Sequence, residues 1–174
     1  PHIGHPDIEE FIDAKHDRAR LRNFNLSVLV SDAFMECLAG KGEWPLTFNG
    51  KVHRTVAATD LWERLMRSTY DTAEPGVIFV DRVNQQNNLG YCETISASNP
   101  CGEQMLPPYG ACLLGSINLA ALVEGHFTDG ARINDKELVK LVTTAVRFLD
   151  NVIDISLFPL PQQEVEAKAK RRIG

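Results

Sequence analysis

Ser98-Asn99-Pro100-Cys101-Gly102-Glu103-Gln104-Met105-Leu106-Pro107-Pro108-Tyr109-Gly110-Ala111-Cys112-Leu113-Leu114-Gly115-Ser116-Ile117-Asn118-Leu119 is the stretch on which the reading of this chain turns. Its first six residues set an amide, a thiol and a carboxylate at alternate positions. An extended segment points successive side chains to opposite faces, so Asn99, Cys101 and Glu103 are expected to project together. Pro100 biases Asn99 toward extended geometry, and Gly102 allows a ligand to approach the backbone closely. An amide, a sulfur and a proton acceptor converging on one point serve an active site, and a packed core has no need of them. The same six residues also read as a Pro/Gly turn around one buried cysteine. Taken alone they leave both readings open.

Outward from this stretch, apolar periodicity divides the chain into helices and short strands. His5-Pro6 with Asp7 and Glu10 predicts a helix start, with Ile8, Phe11 and Ile12 as its apolar stripe. Alternation of Phe24, Leu26, Val28 and Val30 predicts a strand. Ser31-Asp32 should cap a short helix carrying Phe34, Met35 and Leu38, closed by Gly40. Residues 41–57 read as a loop with a brief strand at Leu46–Phe48. Thr59-Asp60 should cap a helix burying Leu61, Trp62, Leu65, Met66 and Thr69. After the Glu74-Pro75-Gly76 turn, Val77-Ile78-Phe79-Val80 reads as a strand buried on both faces, and Asn84–Asn88 as a polar loop. Tyr91–Ser98 is expected to be a strand leading into the site, and Ser116–Val123 fits either a strand or a helix start. Asn134-Asp135-Lys136-Glu137 resembles a capping box before a helix whose Leu138, Leu141, Val142, Ala145, Leu149, Val152 and Ile153 share a face. Pro159 and Pro161 should stop it, and a further helix is expected from Glu164 to Arg172. Alternating helices and short strands predict an α/β fold with largely parallel pairing.

Composition narrows the function classes. The chain has 174 residues, enough for one domain with a real core, and a net charge of −5. No basic patch interleaved with aromatics marks it as a binder of polymeric nucleic acid. Lys168, Lys170, Arg171 and Arg172 read as a solvated helix face. No apolar run approaches the roughly 20 residues of a membrane span, and no signal peptide is visible. The four cysteines, Cys37, Cys92, Cys101 and Cys112, contain no C-x-x-C pair, so no metal site is expected. This usage fits a reducing cytoplasm with one or two chemically active thiols. A start at Pro1 without methionine and a stop at Gly174 predict an excerpt of a longer polypeptide.

The run from Asn99 to Leu119 closely resembles the active-site finger loop of ribonucleotide reductase large subunits, and Leu-Pro-Pro-Tyr-Gly-Ala-Cys is most like the adenosylcobalamin-dependent branch, class II. His5–Ile12 and Arg22–Val28 resemble the family segment after its second specificity loop. Glu74–Asp81 resembles the strand and turn before the finger loop, and Arg171–Gly174 the start of a further family block. The resemblance implies that residues 1–174 are a single partial domain, an internal piece of a ten-stranded α/β barrel. Such a barrel is built of two antiparallel five-stranded halves, with the finger loop, about 96–113, threaded through its centre.

The implied activity is reduction of ribonucleotides to 2′-deoxyribonucleotides by radical chemistry. Cys101 would carry a thiyl radical, Glu103, expected to be partly buried, would act as general base, and Asn99 would hydrogen-bond the ribose hydroxyls. Ser98 and Pro100 would line the substrate site. Cys112 matches one half of a reducing dithiol whose partner lies upstream in the family. Cys37 and Cys92 have no implied role and read as buried structural thiols. Tyr91, Tyr109 and Asn118 read as packing or loop residues. Arg18, Arg20 and Arg22 read as a solvated charge run, with a border on the effector region, which the family places mostly before Pro1, as the alternative reading. The implied cofactor is adenosylcobalamin, bound mainly outside these residues. The implied partners are a ribonucleotide, deoxynucleotide or ATP effectors, a thioredoxin- or glutaredoxin-type reductant and a second copy in a homodimer. A class I large subunit, fed by a metal-containing small subunit, is the alternative enzyme, and a non-catalytic binding module the alternative from another class.

Overall fold

The computed structural model describes residues 1–17 and 19–174, and Arg18 of the basic run lies outside the described residues. These residues form two compact units, Pro1–Pro107 and Pro108–Gly174.

Unit 1 is organised on a parallel pair of strands. β1 (Ser27–Val30) lies beside β4 (Gly76–Phe79), in register from Ser27 opposite Gly76 to Val30 opposite Phe79. A parallel pair needs a long crossover. Here it consists of α2 (Asp32–Ala39), the antiparallel hairpin β2 (Glu43–Phe48) and β3 (Lys51–Ala57), and α3 (Ala58–Thr72). α1 (Ile8–Asp13) precedes β1. Val28 and Val30 point inward, as period-2 alternation requires, and meet Ile3, Ile8, Ile12, Phe34, Leu61 and Leu65 in one core. Phe34 is fully buried and meets Trp44 edge to face, with ring centroids 5.2 Å apart.

Several expectations for unit 1 hold. The Ser31 hydroxyl caps α2 by accepting from the Phe34 amide at 3.3 Å. Others need correction. Residues 43–57 are a hairpin rather than a loop, turned at Asn49 (φ 49°) and Gly50 (φ 74°). Asn-Gly suits this turn because both positions are left-handed. α3 starts at Ala58 with Ala57 in the cap position, and the Thr59 hydroxyl is turned to Asp60, so the expected Thr59-Asp60 cap does not form. β1 begins at Ser27 and leaves Phe24 exposed. Phe79 is exposed beside a buried Ile78, so β4 is covered on one face within this unit. α4 (Val80–Gln85) replaces the start of the polar loop. Its Asn84 side chain accepts from the Ile95 amide at 2.8 Å and donates to the Ile95 carbonyl at 3.0 Å. That pairing satisfies Ile95 without a neighbouring strand, and the strand expected over 91–98 shrinks to β5 (Ala97–Ser98), paired with β6 (Met105–Leu106).

Unit 2 is mainly helical. A 3-10 turn at Leu119–Leu122 runs into β7 (Val123–Glu124), which pairs antiparallel with β8 (Arg132–Ile133), so the ambiguous 116–123 segment contains both a helical turn and a strand. α5 (Asp135–Ile155) is capped by the Asn134 side chain, which accepts from the Glu137 amide at 3.1 Å. α6 begins at Pro161, earlier than expected, because proline suits a first helical turn, and ends at Lys170. Gly115 packs under α5, where an added Cβ would lie 3.2 Å from Leu149 Cδ1. Arg171 is no solvated helix residue. It sits in the left-handed region (φ 49°) and folds onto α5, bonding Asp150 at 2.6 Å and Asp154 at 2.9 Å. That guanidinium holds the Asp154 carboxyl below the usual carboxylate range.

Among the described residues the strands form four two-stranded sheets, one parallel and three antiparallel, and no closed barrel. The fold is mixed α and β as expected. The predicted dominance of parallel pairing does not appear, because three of the four pairings are local hairpins.

Candidate active site

Residues 99–104 are the loop of the β5–β6 hairpin, all within unit 1. Asn99 closes it three ways. Its amide N–H donates to the Gln104 carbonyl at 3.0 Å, its side-chain oxygen accepts from the Gln104 N–H at 3.0 Å, and its carbonyl accepts from the Gly102 N–H at 3.1 Å. Asparagine is suited to this because its amide mimics a peptide group. Pro100 and Cys101 are then the two central residues of a tight turn, and Gly102 follows at φ 79°, where a Cβ would be strained. The extended reading of 99–103 is therefore replaced by a turn, and alternation is not what brings the side chains together. The turn joins two of the three: the Asn99 side-chain NH2 donates directly to a Glu103 carboxylate oxygen. Ser98 adds a hydroxyl bond to the Asn99 carbonyl at 3.0 Å.

Cys101 is exposed at the tip, so the buried-cysteine reading of this turn fails. Glu103 is also exposed, against the expected partial burial. Cys101 and Gly102 line a cleft of about 500 Å³ together with Asn25, Ser27, Glu74 and Gly76. The cleft floor is the start of the parallel pair β1–β4, where a Cβ on Gly76 would come 3.1 Å from Ser27 Oγ. The turn entering β4 is firmly held. The buried Ser68 hydroxyl lies 2.8 Å from the Ile12 carbonyl and 3.2 Å from the Glu74 carbonyl, and Thr69 donates to the Pro75 carbonyl at 2.7 Å. A second cleft of about 490 Å³ is lined by Phe11, Phe24, Asn25, Ser98, Asn99 and Pro100.

Of the expected site residues, Ser98, Asn99, Pro100, Cys101 and Glu103 all lie on this hairpin. Cys112 belongs to unit 2, where it is half-buried with its Sγ 3.6 Å from the Leu113 carbonyl. Cys37 is half-buried and donates to the Glu43 carbonyl at 3.5 Å, whereas Cys92 is exposed and so is not the buried structural thiol expected. Sequence reasoning missed Asn25, Ser27, Glu74 and Gly76. Their signal is a polar residue or glycine at the start of each apolar strand, which pattern alone does not separate from ordinary strand ends.

Residues 2–174 match the family described as ribonucleotide reductase, barrel domain. The chain belongs to this family. It is 40% identical over 174 residues to a vitamin B12-dependent ribonucleoside-diphosphate reductase of Thermoplasma acidophilum, covering 98% of this chain and 22% of that protein. It is 39% identical over 175 residues to the protein of the same description from Mycobacterium tuberculosis (strain H37Rv), covering 99% and 24%. With a ribonucleoside-diphosphate reductase subunit alpha of Chlamydia muridarum the identity is 27% over 209 residues, covering 99% and 20%. The chain thus spans a fifth to a quarter of the length of these curated relatives. Among the described residues, no helix is long and apolar enough to cross a membrane.

Proposed function

We propose that this chain supplies the catalytic loop of an adenosylcobalamin-dependent ribonucleotide reductase and forms part of its ten-stranded α/β barrel. The reading rests on one observation above all: the Asn99 and Glu103 side chains are joined across a turn whose tip presents Cys101 to a nucleotide-sized cleft. The higher identity to the two B12-dependent relatives than to the subunit alpha protein favours class II over class I. The names of these relatives point to ribonucleoside diphosphates as the substrate.

Cys101, as a thiyl radical, takes a hydrogen atom from the ribose 3′ carbon. Glu103 accepts the 3′-hydroxyl proton, and the protonated 2′-hydroxyl leaves as water. Asn99 holds the sugar hydroxyls and Glu103 in one frame, with Ser98 and Pro100 bounding the substrate. Cys112 and an upstream cysteine give up two electrons and two protons and end as a disulfide, and Cys101 returns its hydrogen to the 3′ carbon while Glu103 returns its proton to the 3′ oxygen. The sum is a ribonucleotide and a dithiol converted to a deoxyribonucleotide, a disulfide and water. A thioredoxin- or glutaredoxin-type protein then restores the dithiol. Adenosylcobalamin, when bound, supplies the initiating radical by homolysis of its cobalt–carbon bond. The exposed Cys101 thiol fits that role because a radical source outside these residues can reach it, while the cleft beside it is sized for a nucleotide rather than a corrin. Deoxynucleotide or ATP effectors, a homodimer and a cytoplasmic setting complete the proposal.

The test is turnover by the full-length reductase with adenosylcobalamin and a dithiol. Cys101→Ser should abolish deoxynucleotide formation. Glu103→Gln should lower it by roughly 10²-fold or more, the usual contribution of a positioned general base. Turnover by Cys101→Ser, or by the wild type without cobalamin, contradicts the reading.

A further inference from the structure

We propose that Asn25 is a positioning residue for the Cys101 thiol, an inference that rests on the reading of Cys101 just given. The Asn25 side-chain NH2 donates to the Pro100 carbonyl at 2.7 Å, across 75 positions of sequence. Pro100 has no N–H, so its carbonyl is the group through which this corner of the turn can be gripped. The same carbonyl belongs to the peptide plane that ends at the Cys101 nitrogen. Fixing that plane fixes where Cys101 Cα projects its Cβ and sulfur. The hairpin's own bonds do not engage this carbonyl: β5 and β6 pair over two residues each, and the Asn99 bonds close the turn through Gly102 and Gln104.

Asn25 can hold the turn because its own backbone is held on both sides. The Phe24 carbonyl accepts from the Lys15 ammonium. The Leu26 N–H donates to Glu74 Oε1 at 3.0 Å, and Lys15 and Glu74 form an ion pair with 15% and 20% of their side chains exposed. The next residue, Ser27, is already in the β1–β4 pair. A rigid base therefore carries the donor, and a short hairpin loop carries the thiol. Asn25 and Pro100 line both clefts, so their bond is part of the wall between the two.

The test compares Asn25→Asp, Asn25→Leu and Asn25→Gln with wild type in the full-length reductase. Asp and Leu keep the size of the side chain but offer no N–H to the Pro100 carbonyl, and Gln restores a donor on a longer arm. A thiol displaced by about 1 Å costs on the order of 10²-fold in rate. Asn25→Asp and Asn25→Leu should therefore lower kcat by roughly 10- to 100-fold with KM within about twofold, because the lost interaction bears on the reacting atom more than on binding. Asn25→Gln should recover part of the loss. Amide hydrogen exchange, read without cofactor or substrate, should quicken at Cys101 and Gly102 in the Asp and Leu variants and stay unchanged in α2 and α3. Unchanged kcat and exchange, with Cys101→Ser inactive, overturn this inference and leave the catalytic reading standing. A fall in kcat accompanied by raised KM and faster exchange throughout unit 1 makes Asn25 merely structural and also overturns it. Turnover by Cys101→Ser removes the catalytic reading and this inference together.

Discussion

The core of unit 1, running from Ile3 to Leu65, and the helix α5 of unit 2 are written with the same amphipathic periodicity, yet they fare differently. In unit 1 the faces that form the core find partners a few elements away: α1 and α3, β1 and β4, Phe34 and Trp44. In α5, Ile153 is the buried residue; along the rest of the stripe Leu138, Ala145, Leu149 and Val152 are partly covered, and Leu141 and Val142 are exposed. Val139, Val142, Val146 and Phe148 are exposed. Periodicity reports which face of a helix is made for burial. Burial itself also requires an apolar surface opposite, and unit 2 provides one for only part of the face.

The strongest challenge to this contrast is a pair of truncations. Phe34→Ala should cost about 3–5 kcal/mol, the usual loss for a buried phenylalanine. Phe148→Ala, at a side chain 66% exposed, should stay within about 0.5 kcal/mol. Denaturant melts of both variants measure it, and equal costs would show that the α5 face is covered in solution. A smaller effect sharpens the account of α5 as a helix set by local signals. Asn134→Ala removes its N-cap and should cost about 1 kcal/mol, with faster exchange at the Glu137 amide.

The smallest effect concerns pH and belongs to unit 1. His2 is only partly covered, and its Nδ1 accepts from the Gly4 N–H at 3.1 Å. Burial lowers its pKa, outweighing the opposing pull of Asp81. The unfolded chain therefore binds a proton more readily than the folded one. His2 contributes stability that is complete above about pH 6.5 and declines as pH falls toward its folded pKa. An NMR titration should find the His2 ring titrating below an exposed histidine, and His2→Gln should flatten the fall of Tm between neutral and mildly acid pH.

Much of unit 1 was legible because its signals are local and agree with one another. Ser31 before Asp32, Gly40 after Ala39 and alternating valines in β1 each specify a boundary or a face. The β2–β3 hairpin was missed although Asn49-Gly50 announces it, because Pro45 and the charged β3 weaken the strand pattern around that turn. At the site, residue types were legible and conformation was not. Asn99 and Glu103 are joined through hydrogen bonds of the Asn99 side chain that no periodicity encodes, and Cys101 lies between them in sequence, exposed on the same turn. Asn25 was illegible as a site residue because its partner lies 75 positions away.

The most direct measurement is a crystal structure of the full-length reductase with a ribonucleoside diphosphate bound. The account predicts the ribose 3′ carbon in van der Waals contact with Cys101 Sγ, its hydroxyls on Asn99 and Glu103, within the cleft bounded by Ser27 and Gly76. A nucleotide bound elsewhere, or a Cys101 sulfur turned away from the sugar, would contradict it.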